Sequence, residues 1–324
     1  MTTPNSPMIL DVDEKFQADK WFGHGINYNS DTLPACVTEE KEKSEHIPPE
    51  LDNFSVDLSV TQFLQHTTPK LSAEIIHTKT TIWFSRDEPM QLEDVKSLLS
   101  RPVPSKDFLA ELDAAYGQAW LDGATSIIDP RFNEGRERLP MWMLAYWKKA
   151  TEVNEMQELW RKGVIWLRNE GQRLNSTALP ETIEKATRLL DNLHWNTPIR
   201  PISSHFSYIA TTLFLAKFLG TFWLNDEHIN MMIEQLRENA SKRTSGTAQQ
   251  LQTLSTVVED LSFPLAIHNL PKDLSKEKNK RIIRLGQLAK DGTMKKLYFP
   301  LHVNSTHWIA VMIDFEGKSF SFGA

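Results

Sequence analysis

The sequence predicts an α+β chain, a mainly helical first region followed by a strand-rich final third. Three observations carry this reading. Between about 152 and 168, Val153, Met156, Trp160, Val164 and Leu167 recur at helical spacing and give a broad apolar face. Near the other end, Leu297–Val303, His307–Phe315 and Ser319–Phe322 are strand-like runs with short joins, the last across Glu316-Gly317, a turn signal. Between these regions Asn196-Thr-Pro-Ile-Arg-Pro201 places two prolines close together, which stops a helix and reads as a linker. The expected organisation is therefore an acidic, largely disordered arm over 1–70, a mainly helical region of unassigned role over 71–195, and a third domain over 196–324.

With 40% hydrophobic and 24% charged residues in 324, the chain can bury a sizeable core, which excludes a collagen, a coiled coil or a fully disordered protein. A lone cysteine, Cys36, excludes an intramolecular disulfide and a Cys-rich zinc module, and no metal or other cofactor is expected. The net charge of −6 argues against nucleic acid as a partner. Residues 1–60 concentrate the acid, with twelve Asp/Glu against four Lys/Arg. The opening Met1-Thr-Thr-Pro-Asn-Ser-Pro7 lacks a basic, then apolar, secretory pattern. Phe206–Leu224 is interrupted by Lys217, so it reads as core and not as a membrane span. These features place the protein inside the cell, in nucleus or cytoplasm, with no membrane partner.

The elements follow in order. Pro4, Pro7, Pro34, Pro48 and Pro49 break up the arm, and Glu39–Glu50 is a charged run without apolar periodicity. Trp21-Phe22-Gly23-His24-Gly25 is the exception, a patch suited to docking on the body or on a partner. Thr80–Phe84 has strand composition, whereas Leu92, Val95, Leu98 and Leu99 share a helix face. Phe108, Leu112 and Ala115 form a further stripe, and Pro140 suits the first turn of the helical stretch after it. Trp142, Trp147, Trp160 and Trp166 read as core, because no basic residues interleave them as a single-strand binder requires. A helix is expected over Glu181–Leu193. Another opens at Trp223-Leu-Asn-Asp-Glu-His-Ile-Asn230, capped by Asn225 or Asp226, with Ile229, Met232, Ile233 and Leu236 facing inward. Ser241–Gln250 is polar, and Lys272–Lys296, with nine Lys/Arg against three Asp/Glu, reads as a solvated helix and loop. Ile309–Ile313 is continuously apolar, the pattern of a strand covered on both faces. At its head stands His307.

The order of these last motifs matters. Trp223-Leu-Asn-Asp-Glu-His-Ile-Asn230 on a helix, Phe299-Pro-Leu-His-Val303 on a strand and His307-Trp308 leading to Ile313-Asp314 on the next resemble the ubiquitin-like-protein-specific proteases, also called SUMO or sentrin proteases. The resemblance covers about Phe206–Gly323. It implies an incomplete papain-like cysteine protease domain, in a family that cleaves after the Gly-Gly of SUMO-type modifiers. By this resemblance His307 matches the general base that holds a cysteine as thiolate. Trp223 and Trp308 match two indoles that roof a narrow tunnel for the Gly-Gly tail. Asp226 matches an acidic residue that pairs with an arginine of the ubiquitin-like partner. A tunnel between flat rings selects glycine because only glycine lets an extended backbone pass.

The match departs from the family at its chemistry. The family's orienting Asp belongs where Ala324 stands, and its glutamine and nucleophilic cysteine belong later still. Cys36 sits in Leu33-Pro-Ala-Cys-Val37 with Glu39 and Glu40 close by, surroundings that disfavour a thiolate. Asp314 is seven residues from His307, about 23 Å along one strand, and Glu316 is no nearer. The sequence is thus expected to be a carboxy-terminally truncated copy that does not hydrolyse peptide or isopeptide bonds. The alternative is a non-enzymatic binding or scaffold protein for a ubiquitin-like modifier.

Overall fold

The computed structural model describes residues 22–31, 33–49, 51–52, 57–72, 76, 78–91, 99–132, 135–173, 180–200, 210–243, 255–270, 279–304 and 307–323. Trp21, the expected helix face over 92–98, most of the polar stretch 241–250, the start of the basic stretch and Ala324 lie outside the described residues. The chain forms two compact units, Met1–Arg161 and Lys162–Ala324.

In the first unit, a helix forms inside the acidic stretch. Helix α1 spans Ala35–Glu45 although it has no amphipathic pattern. Its charges pair along the helix instead, Lys41 with Glu45 and Lys43 with Glu40, both at 2.6 Å. Such pairs at i,i+3 and i,i+4 support a helix that periodicity does not reveal. Val37 is fully buried, and the Ser44 and Tyr116 hydroxyls meet at 2.9 Å. Helix α2, Val60–Gln65, opens with a capping box between Ser59 and Gln62. Helix α3 is Lys106–Leu121, capped by Ser105. Helix α4, Met143–Gln172, extends the expected 152–168 helix at both ends. It begins three residues past Pro140, which lies in a strand.

That strand belongs to a small antiparallel sheet of β1 Phe84–Ser85, β2 Ser126–Ile127 and β3 Leu139–Pro140. Only the end of the expected strand Thr80–Phe84 is extended, because Thr80–Trp83 coils into a 3-10 turn. The turn buries the Trp83 indole, whose Nε1–H donates to Thr78 Oγ1 at 2.9 Å. Around it lie Phe108 at 5.0 Å and Trp147 at 6.3 Å between ring centres. Trp142, Trp147 and Trp160 are buried, while Trp166 is part exposed, so three of the four expected core indoles are core. Phe22 meets Trp120 edge-on at 4.6 Å, and the backbone N–H of Tyr28 donates to Gln118 Oε1 at 2.7 Å. The patch after Trp21 therefore docks on the body of this unit.

In the second unit, α5 is Pro180–Leu190. The proline-rich linker contains a strand, β4 Pro198–Ile199, paired with β5 Ala210–Thr211. A 3-10 segment over Thr212–Phe218 leads to α6, Asp226–Arg243. A four-stranded sheet follows, in the order β6 Thr256–Val258, β7 Lys296–Val303, β8 His307–Asp314 and β9 Ser319–Gly323. Its first pair is parallel and the others antiparallel. Helices α7 Ser262–Asn269 and α8 Lys280–Lys290 cover one face, where Phe263, Leu285, Met294 and Leu297 form a buried cluster joined by Phe299 and Ile313. The architecture is α+β, as the pattern predicts.

Two inward assignments fail here. No residue of β8 is fully buried, so the continuous apolar run does not mark a strand covered on both faces. Partner helices reach the β7 side of the sheet, whereas Phe320 and Phe322 on β9 are 73% and 70% exposed. On α6, Ile233 is buried but Met232 is 46% and Leu236 56% exposed. Among the described residues, no helix is long and apolar enough to cross a membrane.

Candidate active site

The site grows from the β7–β8 hairpin. In its register Val303 stands opposite His307 and His302 opposite Trp308. The Tyr298 carbonyl accepts from the Glu259 N–H on the β6 side at 2.7 Å. Backbone groups alternate along a strand, so Pro300 and His302 also turn their N–H positions toward β6 and away from β8. Because β6 stops opposite Tyr298, the missing N–H of Pro300 costs the ladder nothing. The same alternation makes His302 and Trp308 a non-hydrogen-bonded cross-strand pair, the kind whose side chains approach most closely. Their rings stack at 4.1 Å and 15°.

Trp308 has a second anchor. Its Nε1–H donates to the Leu224 carbonyl at 3.1 Å, tying β8 to the segment before α6. Next to that carbonyl, Trp223 is 77% exposed. Asp226 is exposed in the first turn of α6, and Asn225 Oδ1 accepts the His228 N–H at 3.3 Å, which makes Asn225 the capping residue. His228, which the sequence pattern does not single out, is fully buried under this turn. Its Nε2–H donates to the Phe214 carbonyl at 3.0 Å, and the Asn225 N–H reaches Nδ1 at 3.3 Å. Burial, before any other cause, holds this imidazole below its ordinary pKa.

His307 is exposed at the head of β8. Successive residues of a strand face opposite sides, so His307 shares a face with Ile309, Val311 and Ile313, and Trp308 lies on the other. The β8–β9 ladder runs from Asp314 opposite Ser319 to Ala310 opposite Gly323. The carboxylates on the hairpin are engaged elsewhere. Asp314 Oδ1 accepts the Gly317 N–H at 2.7 Å and lies 3.8 Å from Lys296, and Glu316 pairs with Lys295 at 3.1 Å. Cys36 is in α1, in the first unit. Among the described residues, no group of three His, Cys, Asp or Glu side chains is arranged to hold a metal ion.

The structure thus brings Trp308 together with the backbone that carries Trp223 and Asp226, and sets His307 at the same strand end with an open imidazole. It gives His307 no carboxylate from its own hairpin. His302 and His228 are the residues that sequence reasoning missed. His302 lies within Phe299–Val303, and the offset that pairs it with Trp308 follows once the join 304–306 is read as a hairpin.

Comparison with protein families places residues 222–322 in a match to the Ulp1 protease family, C-terminal catalytic domain. The matched span opens one residue before Trp223 and closes within β9, so it contains every residue of the site. No curated protein and no solved structure matches the chain.

Proposed function

We propose that residues 222–322, which match the C-terminal catalytic domain of the Ulp1 protease family, grip the Gly-Gly tail of a SUMO-type modifier. In this reading Trp223 and Trp308 line the passage for the tail, Asp226 meets an arginine of the modifier, and His307 holds the place of the general base. The observation that carries it is the Trp308 Nε1–H bond to Leu224. That bond keeps one indole against the backbone of the other at the strand end where His307 is open.

The same reading makes these 324 residues a binder and not a peptidase. Hydrolysis by this family's chemistry needs a thiolate beside the imidazole, and neither the hairpin that carries His307 nor α6 holds a cysteine. We assign the modifier-facing role to 196–324, behind a helical region over 71–195 and the arm over 1–70, in an intracellular protein of nucleus or cytoplasm.

Titration with a SUMO-type protein ending in Gly-Gly tests the proposal. Binding is expected, and Trp308→Ala should weaken it about thirtyfold, the loss typical of a central aromatic anchor. Absence of binding by the unaltered chain overturns the modifier reading. A fluorogenic substrate ending in Gly-Gly tests the second half, since thiol-dependent turnover that survives Cys36→Ser would refute the assignment as a binder alone.

A further inference from the structure

The clamp behind Trp308 extends beyond the family's indole pair. We propose that His302 is a positioning residue. By stacking on Trp308 from the neighbouring strand, it holds the indole plane so that Nε1–H stays on Leu224, and through that bond it fixes the backbone presenting Trp223. The inference rests on the reading of the two indoles as the modifier-tail passage, but the clamp has its own geometry.

Three features on one face support it. The pair is a direct register partnership, not an incidental contact between loops. It is of the non-hydrogen-bonded type, so no ladder bond holds the two backbones together at that rung, and side-chain contact is what closes it. The stack is nearly parallel at 15° and 4.1 Å, and a single rotation of Trp308 about χ1 would break both it and the Leu224 bond. Trp308 is therefore held from two sides, by a ring on β7 and by a carbonyl ahead of α6. His302 itself is exposed, so burial does not explain its position, and replacing it leaves the core cluster of Phe263, Leu285, Met294 and Leu297 untouched.

The test uses the full chain, with the indole N–H resonance of Trp308 assigned by its loss in Trp308→Phe. His302→Ala should speed hydrogen exchange of that indole and weaken SUMO-type modifier binding, each by about fivefold, as expected for a lost aromatic pair. His302→Phe should restore both to within about twofold, because a flat ring suffices. A merely structural histidine would change thermal stability without this selective change in one indole. Unchanged indole exchange in His302→Ala overturns the clamp, as does unaltered modifier affinity where the unaltered chain binds. If the unaltered chain does not bind, the modifier reading falls, and the exchange measurement alone decides whether His302 positions Trp308.

Discussion

His228 and His307 stand 79 positions apart in one sequence and receive opposite treatment from the fold. At the head of β8, His307 is open to solvent and available to a partner. His228 is sealed under the first turn of α6 between the rings of Phe214 and Phe218, at 5.2 and 5.1 Å. Its Nε2 bonds to the Phe214 carbonyl, and its Nδ1 lies against Asn225 Oδ1. Burial lowers its pKa from the ordinary 6.5, with Lys217 acting in the same direction against the opposing Phe214 bond and Glu227. Within the window between that lowered value and 6.5, the unfolded chain binds a proton that the folded chain refuses, so stability increases with pH there. The contribution is complete above 6.5, and it is lost as acid carries the solution down through the window. Urea midpoints measured from pH 5 to 7.5 should climb and then level. His228→Phe should flatten that climb while lowering the midpoint at every pH, since the Phe214 carbonyl is left buried without its donor. An equal slope in His228→Phe would show that other groups set the pH response.

Among the elements, the arm and β9 illustrate what a pattern can and cannot reveal. At Gly117 in α3 a Cβ would lie 2.5 Å from the Tyr28 ring, a contact no side chain tolerates. Gly117→Ala should therefore expel Tyr28 and free the segment around Phe22–Asp31 for protease cleavage. Alanine's better helix propensity, about 1 kcal/mol, should keep α3 intact, and the far-ultraviolet signal should be unchanged. On β9, Phe320 and Phe322 sit on an edge strand among the described residues. Replacing both with serine should change the melting temperature little, and it should reduce concentration-dependent scattering by removing an apolar edge. A large loss of stability would mean that these rings pack in solution. Helices α4 and α6 are legible because their apolar residues recur at helical spacing, and the three long strands because short apolar runs are separated by turn signals. Helix α1 is not, because side-chain ion pairs form it. The β8 run was misread because apolar composition reports what a face can bury and not whether a neighbour arrives. Likewise the partners of the candidate site were legible as motifs, whereas the His302–Trp308 pairing is a property of register, which composition does not encode.

At the scale of the whole molecule, apolar burial among the described residues is uneven between the two units. The first buries Trp83, Trp147 and Trp160 together with Phe63, Leu112, Tyr116, Tyr146 and Ile127. In the second, the sheet's buried cluster is four side chains, supported by partly buried neighbours. Exposed apolar residues collect on its elements, Leu265 and Ile267 on α7, Ile283 on α8, and the two phenylalanines on β9. Buried apolar contacts raise the free energy of local opening, so the helical unit should be the slow-exchanging part of the protein and the candidate site should lie in the part that opens more readily. A modifier that binds only the closed form stabilises it by mass action, so the site's flexibility and its occupancy are linked. Amide hydrogen exchange on the full chain checks this directly. The slowest amides should fall in α3 and the first half of α4, β7 and β8 should be intermediate, and β9 should exchange fastest of the strands. Saturation with a SUMO-type protein should slow exchange in β7, β8 and the opening turn of α6 while leaving α3 unchanged. Equal protection across both units, or slowing confined to the first, would refute the view that the unit with fewer buried apolar side chains carries the recognition.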